Sequence, residues 1–259
     1  MKGHRIVDVD VRRPDLRFPF PRRFRARLKG QPVVALTRRA KYLLATLGST
    51  ETLLIHLGMS GSFRVEPGAQ DARRKAMATR HDHVVFTMDS DALVHFNDPR
   101  RFGLMDLLSR RELAHHPVLS RLGPEPLSKA FDAAALARAC ARRSAPLKAA
   151  LLDQSVVAGL GNIYASEALH LAGLAPQRRA STIATAAGAP RPAAYRLTKA
   201  IKQVLRTAIE RTSSQRYRSS RFRVYDREGE RCLRAGCGGT IQRVTQAGRS
   251  TFYCSVCQR

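Results

Sequence analysis

The sequence has 259 residues, 44% of them hydrophobic, which is enough for two modest domains or one large one with a buried core. Its 46 Lys and Arg residues against 20 Asp and Glu give a formal net charge of +26, which favours a polyanionic partner such as nucleic acid. No apolar run is long enough for a membrane-spanning helix, and no signal-peptide core follows the N-terminus. We therefore expect a cytoplasmic protein without a membrane partner.

The N-terminal part of the sequence is typical of an antiparallel β-sandwich or barrel. Short runs of β-branched and apolar residues alternate with Gly, Pro, Asp and Ser at intervals of roughly ten residues. We place this domain at residues 1–108, with strands in RIVDVDVR, PVVALTRR, KYLLATLG, TLLIHLGM, SFRVEPG, DHVVFTMD and ALVHFND. The charged segment QDARRKAMATRHD is predicted to be a loop.

The pattern changes after Gly103, first to an irregular stretch and then to a helical period. His, Pro and Gly punctuate residues 109–128, which we interpret as a hinge. A helical domain follows at 129–212, with helices in SKAFDAAALARACARR, APLKAALLDQ, NIYASEALHLAG and PAAYRLTKAIKQVLRTAIERT. The fold class is therefore a multi-domain α+β chain that ends in a cysteine-containing segment at 222–259.

Four of the five cysteines form two pairs near the C-terminus, and their spacing predicts a zinc site. The first pair is Cys232 and Cys237, the second pair is Cys254 and Cys257, and sixteen residues separate the two pairs. Two thiolate pairs can surround one Zn²⁺ tetrahedrally without a water ligand, which is typical of a structural site. The intervening residues predict a β-hairpin with Arg249 near its tip, where the guanidinium can contact a phosphate. The alternative is a zinc site that only stabilises the fold. The fifth cysteine, Cys140, is predicted to lie on a buried helix face.

A glycine-rich junction joins two of the predicted helices. It reads Gly159-Leu160-Gly161-Asn162, and Asn162 is predicted to be the N-cap of the helix that follows. Unpaired N–H groups at a helix start can bind an anion. The motif alone is weak, since most such junctions are only turns.

Several segments taken together resemble one known family. GLGNIYASEAL, HLGMSGSFRV, NDPRRFG, LGPEPL, VYDREGE and the cysteine hairpin with GRSTFYC are similar to bacterial formamidopyrimidine-DNA glycosylases, over nearly the whole chain. The resemblance implies an N-terminal β-sandwich, a helix-two-turn-helix domain and a zinc-finger hairpin. It also implies an enzyme that excises oxidised purines (formamidopyrimidine and 8-oxoguanine) from duplex DNA and cleaves the abasic site by β,δ-elimination.

The resemblance assigns roles to individual residues of this sequence. Asn162 matches the residue that binds the phosphate beside the lesion. Arg249 matches the zinc-finger arginine that binds the flanking phosphates and is linked to the elimination step, and Lys41 matches a lysine near the scissile sugar-phosphate. Lys41 and Arg249 are therefore the candidate catalytic residues. Three further basic residues match positions on the DNA-facing side: His81, Arg143 and Lys148. The alternative for the histidine is an ordinary loop residue.

Three other residues match the group that enters the DNA helix where the damaged base has left: Met59, Arg100 and Phe102. Met59 and Phe102 have the apolar side chains that such a wedge needs, and Arg100 can hydrogen-bond the base left without a partner. The alternative for Met59 and Phe102 is burial in the core. A wedge is needed because a stacked base hides its glycosidic bond until the nucleotide is flipped out.

The sequence departs from the family pattern at two places. The resemblance implies an N-terminal Pro-Glu, whose proline amine forms a Schiff base with the sugar, whereas this sequence reads MKGHRIVDVDV. Either the true protein begins upstream, or the chain is a truncated or degenerate copy. The connection near 212–222 is also shorter than the family's loop over 8-oxoguanine, which leaves the lesion spectrum open.

Two functions of different classes follow. The first is a glycosylase and abasic-site lyase with one structural Zn²⁺ and no small-molecule cofactor, which acts as a monomer on damaged double-stranded DNA. The second is a damaged-DNA-binding protein that lacks the catalytic amine. An RNA-binding zinc protein is disfavoured, because only 6% of the residues are aromatic and none is Trp.

Overall fold

The computed structural model describes residues 1–68, 79–213 and 222–259. The chain divides into two compact units, which we call unit 1 (Met1–Ser120) and unit 2 (Arg121–Arg259). Among the described residues, each helix is too short or too polar to cross a bilayer. The predicted domain boundaries at 108, 128 and 212 stay predictions.

Unit 1 is built from two four-stranded antiparallel sheets, as the resemblance implied. Its strands are β1 (Ile6–Val11), β2 (Val33–Arg39), β3 (Tyr42–Leu47), β4 (Thr52–His56), β5 (Ser62–Glu66), β6 (Asp82–Met88), β7 (Leu93–Asn97) and β8 (Leu104–Leu108). One sheet has the order β1-β6-β7-β5 and the other β2-β3-β4-β8. Residues 69–78, which hold most of the predicted QDARRKAMATRHD loop, lie outside the described ranges.

The core of unit 1 follows from the alternation of its strands. Every second residue of a strand points to the same face, and one face of each sheet lines a shared core, while the central strands β4, β6 and β7 are buried on both faces. Phe86 and Phe96 come from the first sheet and Leu53 from the second, and all three side chains are fully buried in one cluster. The packed faces leave the connecting loops at the ends of the strands to carry function.

The structure differs from the predictions for unit 1 in three local elements. Strand β8 begins directly after Gly103, and helix α2 (Arg110–His115) follows it inside the predicted hinge. A reciprocal capping box starts this helix, since Ser109 accepts from the Glu112 N–H while the Glu112 carboxylate accepts from the Ser109 N–H. A short helix α1 (Phe24–Leu28), absent from the predicted strands, buries Phe24 and Leu28 in the core.

Unit 2 contains the helices that the sequence predicted. They are α3 (Ala133–Cys140), α4 (Leu147–Leu152), α5 (Asn162–Ala172) and α6 (Pro192–Ser213), with a 3₁₀ helix at Ala180–Ile183. Asp132 caps α3 by accepting the Ala135 N–H at 2.7 Å, and Cys140 is fully buried at the other end of that helix. Apolar residues from these helices form one cluster, so the helical period did mark a packed core.

The C-terminal hairpin consists of β9 (Ile241–Gln246) and β10 (Arg249–Cys254), paired antiparallel. It has a small cluster of its own in which only Val224, Ile241, Phe252 and Cys254 are buried. So few apolar side chains cannot stabilise a hairpin alone, and small modules of this kind depend on a metal or on docking to a larger body. The predicted strand, turn and strand are confirmed.

Candidate DNA-contacting surfaces and metal centre

In unit 1, Met59, Arg100 and Phe102 lie together on two neighbouring loops. Met59 follows β4 and is 73% exposed, while Phe102 precedes β8 and is 43% exposed. The Arg100 guanidinium carbon lies 4.7 Å from the centre of the Phe102 ring, a cation–π contact that holds the arginine beside the apolar group. A side chain as large and apolar as Met59 is normally buried, so its exposure excludes the core alternative and is typical of a binding surface.

The loops that carry these three side chains are tightly packed against each other. Gly58 has a φ of +66°, and a Cβ at that position would lie 2.5 Å from the carbonyl carbon of Phe102. Only glycine therefore permits this approach of the two backbones. The buried carboxylate of Asp98 accepts the Gly103 N–H at 2.8 Å and fixes the end of the second loop.

Lys41 is placed at the tip of the hairpin between β2 and β3. Arg39 pairs with Tyr42, so Ala40 and Lys41 form a two-residue turn, with Ala40 at a φ of +52°. The Lys41 side chain is exposed. A lysine on such a turn projects away from the sheet, where its ammonium can contact an anionic ligand.

His56, which is not among the residues predicted for the site, lies close to Lys41. Its ring packs on Tyr42 with 4.9 Å between ring centres, and its Nδ1 accepts the Gly58 N–H at 2.9 Å. Burial, together with the positive charges of Lys41 and Arg17, lowers the pKa of His56. The ring is therefore neutral at pH 7, with its proton on Nε2. Its place in HLGM, two residues before Gly58, was the available signal.

His81 is half-buried and immediately precedes β6. Its Nε2 accepts from Arg80 Nε at 2.9 Å, and its carbonyl oxygen accepts the Asp98 N–H at 3.0 Å. The second interaction ties His81 to the segment that carries Arg100. The position fits a DNA contact and also fits the alternative of an ordinary loop residue.

In unit 2, Arg249 stands at the tip of the hairpin. Ala247 and Gly248 form a two-residue turn with φ angles of +47° and +69°, and Arg249 is the exposed first residue of β10. Two consecutive positive φ angles are the geometry of the tight hairpin turns that match the twist of the strands. The turn places the exposed Arg249 at the end of the hairpin.

The next residue, Ser250, connects the hairpin tip to the helices of unit 2. Its carbonyl oxygen accepts two hydrogen bonds, from Lys148 Nζ at 3.0 Å and from Asn162 Nδ2 at 2.9 Å. Lys148 also donates to Thr251 Oγ1 at 2.6 Å. Arg249 is thereby held beside the first turn of α5.

The structure corrects the expected exposure of Lys148. Its side chain is only 1% exposed, so the ammonium serves the hairpin junction and does not lie on an open surface. Burial, and secondarily the charge of Arg249, lowers the pKa of Lys148 to about 8. The sequence resemblance identified the residue but not its environment.

The predicted N-cap of α5 is wrong by one residue. Gly161 occupies the cap position with extended backbone angles, and Asn162 is the first helical residue. No side chain caps this end, so the N–H groups of the first turn have no intrahelical acceptor and can bind an anion. The Asn162 amide carries two N–H donors, of which one goes to Ser250, and the other can donate to a phosphate.

Arg143 is half-buried and already paired within unit 2. It donates to Asp153 Oδ2 at 2.6 Å and to the carbonyl oxygen of Ala139 at 2.8 Å. Part of its charge is therefore neutralised, and a contribution to DNA binding would come through the guanidinium edge that remains exposed.

Glu167 is a second residue that the sequence analysis missed. It lies buried on α5, and its carboxylate accepts three backbone N–H groups, from Arg223, Val224 and Tyr225, at 2.8 to 3.0 Å. A carboxylate that receives several N–H donors is a strong anchor in a low-dielectric interior. An acidic residue directly before the apolar pair Ala168-Leu169 was the available signal.

The four paired cysteines converge on one point. Their sulfurs all lie within 4.8 Å of one another, with 3.8 Å from Cys232 to Cys257 and 3.6 Å from Cys237 to Cys254. Burial and hydrogen bonds with the other thiols raise the pKa of Cys257 and so disfavour its thiolate. A divalent cation bound by the four sulfurs would favour the thiolate again. A compact set of four sulfurs suits tetrahedral Zn²⁺, and the chemistry it would supply is structural.

Neighbouring groups orient this cluster. His170 Nε2 of α5 lies 3.3 Å from the Cys232 sulfur, the outer-shell contact expected around a thiolate. Gln258 accepts the Cys254 N–H at 2.8 Å and donates to the carbonyl oxygen of Leu174 at 2.9 Å. The metal centre is therefore joined to the helical part of unit 2 on two sides.

Three family profiles match this chain in succession. They are the formamidopyrimidine-DNA glycosylase N-terminal domain at residues 1–105, the formamidopyrimidine-DNA glycosylase H2TH domain at 122–219, and the zinc finger found in FPG and IleRS at 229–259. The formamidopyrimidine-DNA glycosylase of Rhodopseudomonas palustris (strain HaA2) is 55% identical over 275 residues, covering 100% of this chain and 94% of the relative. The chain belongs to the formamidopyrimidine-DNA glycosylase family.

Solved structures of this family have the same fold. The Lactococcus lactis formamidopyrimidine-DNA glycosylase bound non-covalently to DNA containing an AP site matches with a TM-score of 0.85 and 28% identity, over 100% of this chain and 94% of that one. The Lactococcus lactis complex with FAPY-dG-containing DNA matches with a TM-score of 0.84 and 28% identity, over 99% and 93%. Family membership confirms the resemblance, the fold class and the zinc-finger hairpin, whose four cysteines form a site for one structural Zn²⁺. The roles of the individual DNA-contacting residues stay predictions.

Proposed function

We propose that this protein is a DNA glycosylase and abasic-site lyase that removes oxidised purines from damaged duplex DNA and cleaves the abasic product. The proposal is supported by membership of the formamidopyrimidine-DNA glycosylase family across the whole chain. It is also supported by the relatives solved with AP-site and FAPY-dG-containing DNA. In this proposal the protein acts as a monomer in the cytoplasm, where bacterial DNA lies.

The observation that carries the proposal is the exposed group Met59, Arg100 and Phe102. An enzyme that acts on a base must extrude the nucleotide, and the gap in the stack then has to be filled. Two exposed apolar side chains beside a guanidinium have the required chemistry: the apolar groups replace the lost stacking, and Arg100 donates to the base that has lost its partner.

Unit 2 supplies phosphate contacts in this proposal. Asn162 and the uncapped start of α5 offer neutral N–H donors, and Arg249 offers a bidentate guanidinium on the hairpin tip. Because Asn162 also holds the carbonyl oxygen of Ser250, the two phosphate ligands are fixed relative to each other. This arrangement fits two phosphates of one strand near the damaged nucleotide.

Lys148 has a positioning role in the proposal. Its ammonium holds Ser250 and Thr251 from the buried side of the hairpin, so it acts on DNA through Arg249. Lys41, on its exposed turn, is assigned to the sugar-phosphate of the reacting nucleotide. Its charge would stabilise the leaving phosphate during elimination.

Borohydride trapping on a duplex with one abasic site tests the proposal. A lyase that works through an amine forms a Schiff base with the sugar aldehyde, and reduction converts it to a permanent protein–DNA adduct. The amine that the resemblance implies is that of an N-terminal proline, which the printed sequence does not contain. We expect the zinc-loaded protein that carries this proline to give the adduct and to release purines from duplexes that contain formamidopyrimidine or 8-oxoguanine. Tight binding of the abasic duplex with no adduct would favour the alternative, a damaged-DNA-binding protein.

A further inference from the structure

A hydrogen-bonded pair, Ser60 and Asp98, joins two loops of unit 1. Neither residue is among the DNA-contacting residues assigned above. Ser60 Oγ donates to Asp98 Oδ1 at 2.6 Å and accepts the Arg100 N–H at 3.2 Å. Ser60 directly follows Met59, whereas Asp98 and Arg100 belong to the loop that carries Phe102. The serine hydroxyl therefore bridges the two loops through both of its hydrogen-bonding functions.

Asp98 is anchored on every side. Its other carboxylate oxygen, Oδ2, accepts the Gly103 N–H at 2.8 Å, and the residue is fully buried. Its backbone N–H donates to the carbonyl oxygen of His81 at 3.0 Å, and its carbonyl oxygen accepts from His83 Nε2 at 2.9 Å. Because His83 lies in β6, the backbone of Asp98 is tied to the sheet, and its carboxylate reaches both loops from that position.

We propose that the Ser60–Asp98 pair is a positioning device that locks Met59, Arg100 and Phe102 into one preformed group. The inference rests on the wedge role given to these residues under the proposed function. Loops that moved separately would have to be ordered during insertion, and the lost backbone entropy would oppose that step. With the pair intact, that ordering is already complete before DNA arrives.

The close approach of Gly58 to Phe102 gives this device a second support. Pairing of the flanking strands and contact of the two backbones keep the loops adjacent, and the Ser60 hydroxyl and the Asp98 carboxylate add a side-chain bond between the loops themselves. Loss of the hydroxyl should therefore loosen the group without unfolding the sandwich, since Ser60 lies outside the buried core.

The test compares Ser60→Ala with Ser62→Ala, an exposed serine two residues further on. A duplex carries 2-aminopurine opposite a stable abasic analogue, and the rise in its fluorescence reports the entry of the wedge. Removal of one hydrogen bond of this kind should slow the rise about threefold to tenfold in Ser60→Ala, with no change in Ser62→Ala. Asp98→Asn, which keeps one acceptor and loses the other, should be slower still.

The outcomes separate this inference from the proposed function. If the unsubstituted chain gives no fluorescence rise, the wedge role itself fails. If the unsubstituted chain and Ser60→Ala give the same rate, the wedge role stands and the locking pair is refuted. Thermal unfolding of both serine variants must stay unchanged; a lowered melting temperature in Ser60→Ala that accounts for the slower rise would also overturn the proposal.

Discussion

The two units prepare DNA-contacting side chains by different physical means. In unit 1, Met59, Arg100 and Phe102 stand on loops whose direction depends on glycine geometry and on one buried carboxylate. In unit 2, Arg249 stands on a hairpin with a very small apolar cluster, held by four thiolates and by two donors to Ser250. A sandwich core can support exposed loops by itself, whereas a hairpin of this size needs a metal.

The first prediction concerns removal of the metal, which tests whether the hairpin depends on it. Structural zinc in finger peptides contributes about 10–16 kcal/mol of apparent binding free energy, and the hairpin's own apolar cluster has only four buried residues. Chelation should therefore unfold the hairpin and reduce affinity for an abasic duplex by about two orders of magnitude, through loss of the charged contact of Arg249. Zinc analysis and fluorescence anisotropy measure the two quantities. Full affinity in a zinc-free sample would contradict the account.

A second prediction concerns the pH dependence of stability, which Lys148 should impose on unit 2. Its pKa is about 8 in the folded chain and 10.5 when exposed, so between these values the unfolded chain binds more protons and stability rises with pH. The gain between pH 8 and 10.5 should reach about 3 kcal/mol relative to Lys148→Met. The neutral amine keeps its donors, so the bonds to Ser250 and Thr251 persist.

Urea unfolding at several pH values measures this difference. The exposed Lys199 on α6 provides a control, and Lys199→Met should follow the unsubstituted chain at every pH. If the free energy of unfolding of Lys148→Met changed with pH as it does in the unsubstituted chain through this range, the ammonium of Lys148 would not be desolvated.

The third prediction sharpens the role of the hairpin tip. Arg249→Ala should weaken duplex binding by about 1.5–3 kcal/mol, the range for a hydrogen bond to a charged group, and reduce the salt dependence by about one phosphate contact. Zinc content should not change, because Arg249 is remote from the sulfurs in the hairpin register. Arg243→Ala, on the same hairpin but away from its tip, is the control. Loss of zinc together with the arginine would refute the phosphate role.

The smallest effect is expected in unit 1. Met59 is 73% exposed, so Met59→Ala should leave the melting temperature unchanged and still lower the preference for abasic over intact duplex by about 1–2 kcal/mol. Val65→Ala, a truncation at another exposed apolar residue, should lower neither quantity. Competition binding measures this preference for abasic over intact duplex. If the unsubstituted chain, Met59→Ala and Val65→Ala all had the same preference, Met59 would have no role in the wedge.

Much of this architecture could be predicted because local patterns carry it. Short β-branched and apolar runs such as DHVVFTMD, bounded by turn-forming residues, indicated strands; the helical period indicated α3 to α6, and the cysteine spacing indicated the metal ligands. The missed elements are those in which tertiary packing decides. Helix α1 is a single turn whose Phe24 and Leu28 pack in the sandwich core. Helix α2 lies in a stretch rich in His and Pro, which led to the prediction of a hinge, although Ser109 and Glu112 have the spacing of a capping box.

The site was predicted less completely than the fold, because its defining contacts join distant parts of the chain. The bond from Lys148 to Ser250 spans 102 residues, and the bond from Ser60 to Asp98 spans 38. No local pattern shows that a lysine is buried or that a serine bridges two loops. The N-cap error at Asn162 has a different cause: Gly and Asn are both good caps, and only the backbone angles show that Gly161 takes the position.

The most direct test of the account is the affinity ratio between a duplex with one abasic site and the same duplex intact, measured on the zinc-loaded chain at moderate salt. Phosphate contacts alone bind both duplexes equally, because they are independent of sequence and of base loss. A wedge that enters the gap predicts clearly tighter binding of the abasic duplex, with the preference lost when Met59 and Phe102 are both truncated. Equal affinity for the two duplexes would contradict the claim that this chain recognises damage by replacing an extruded nucleotide.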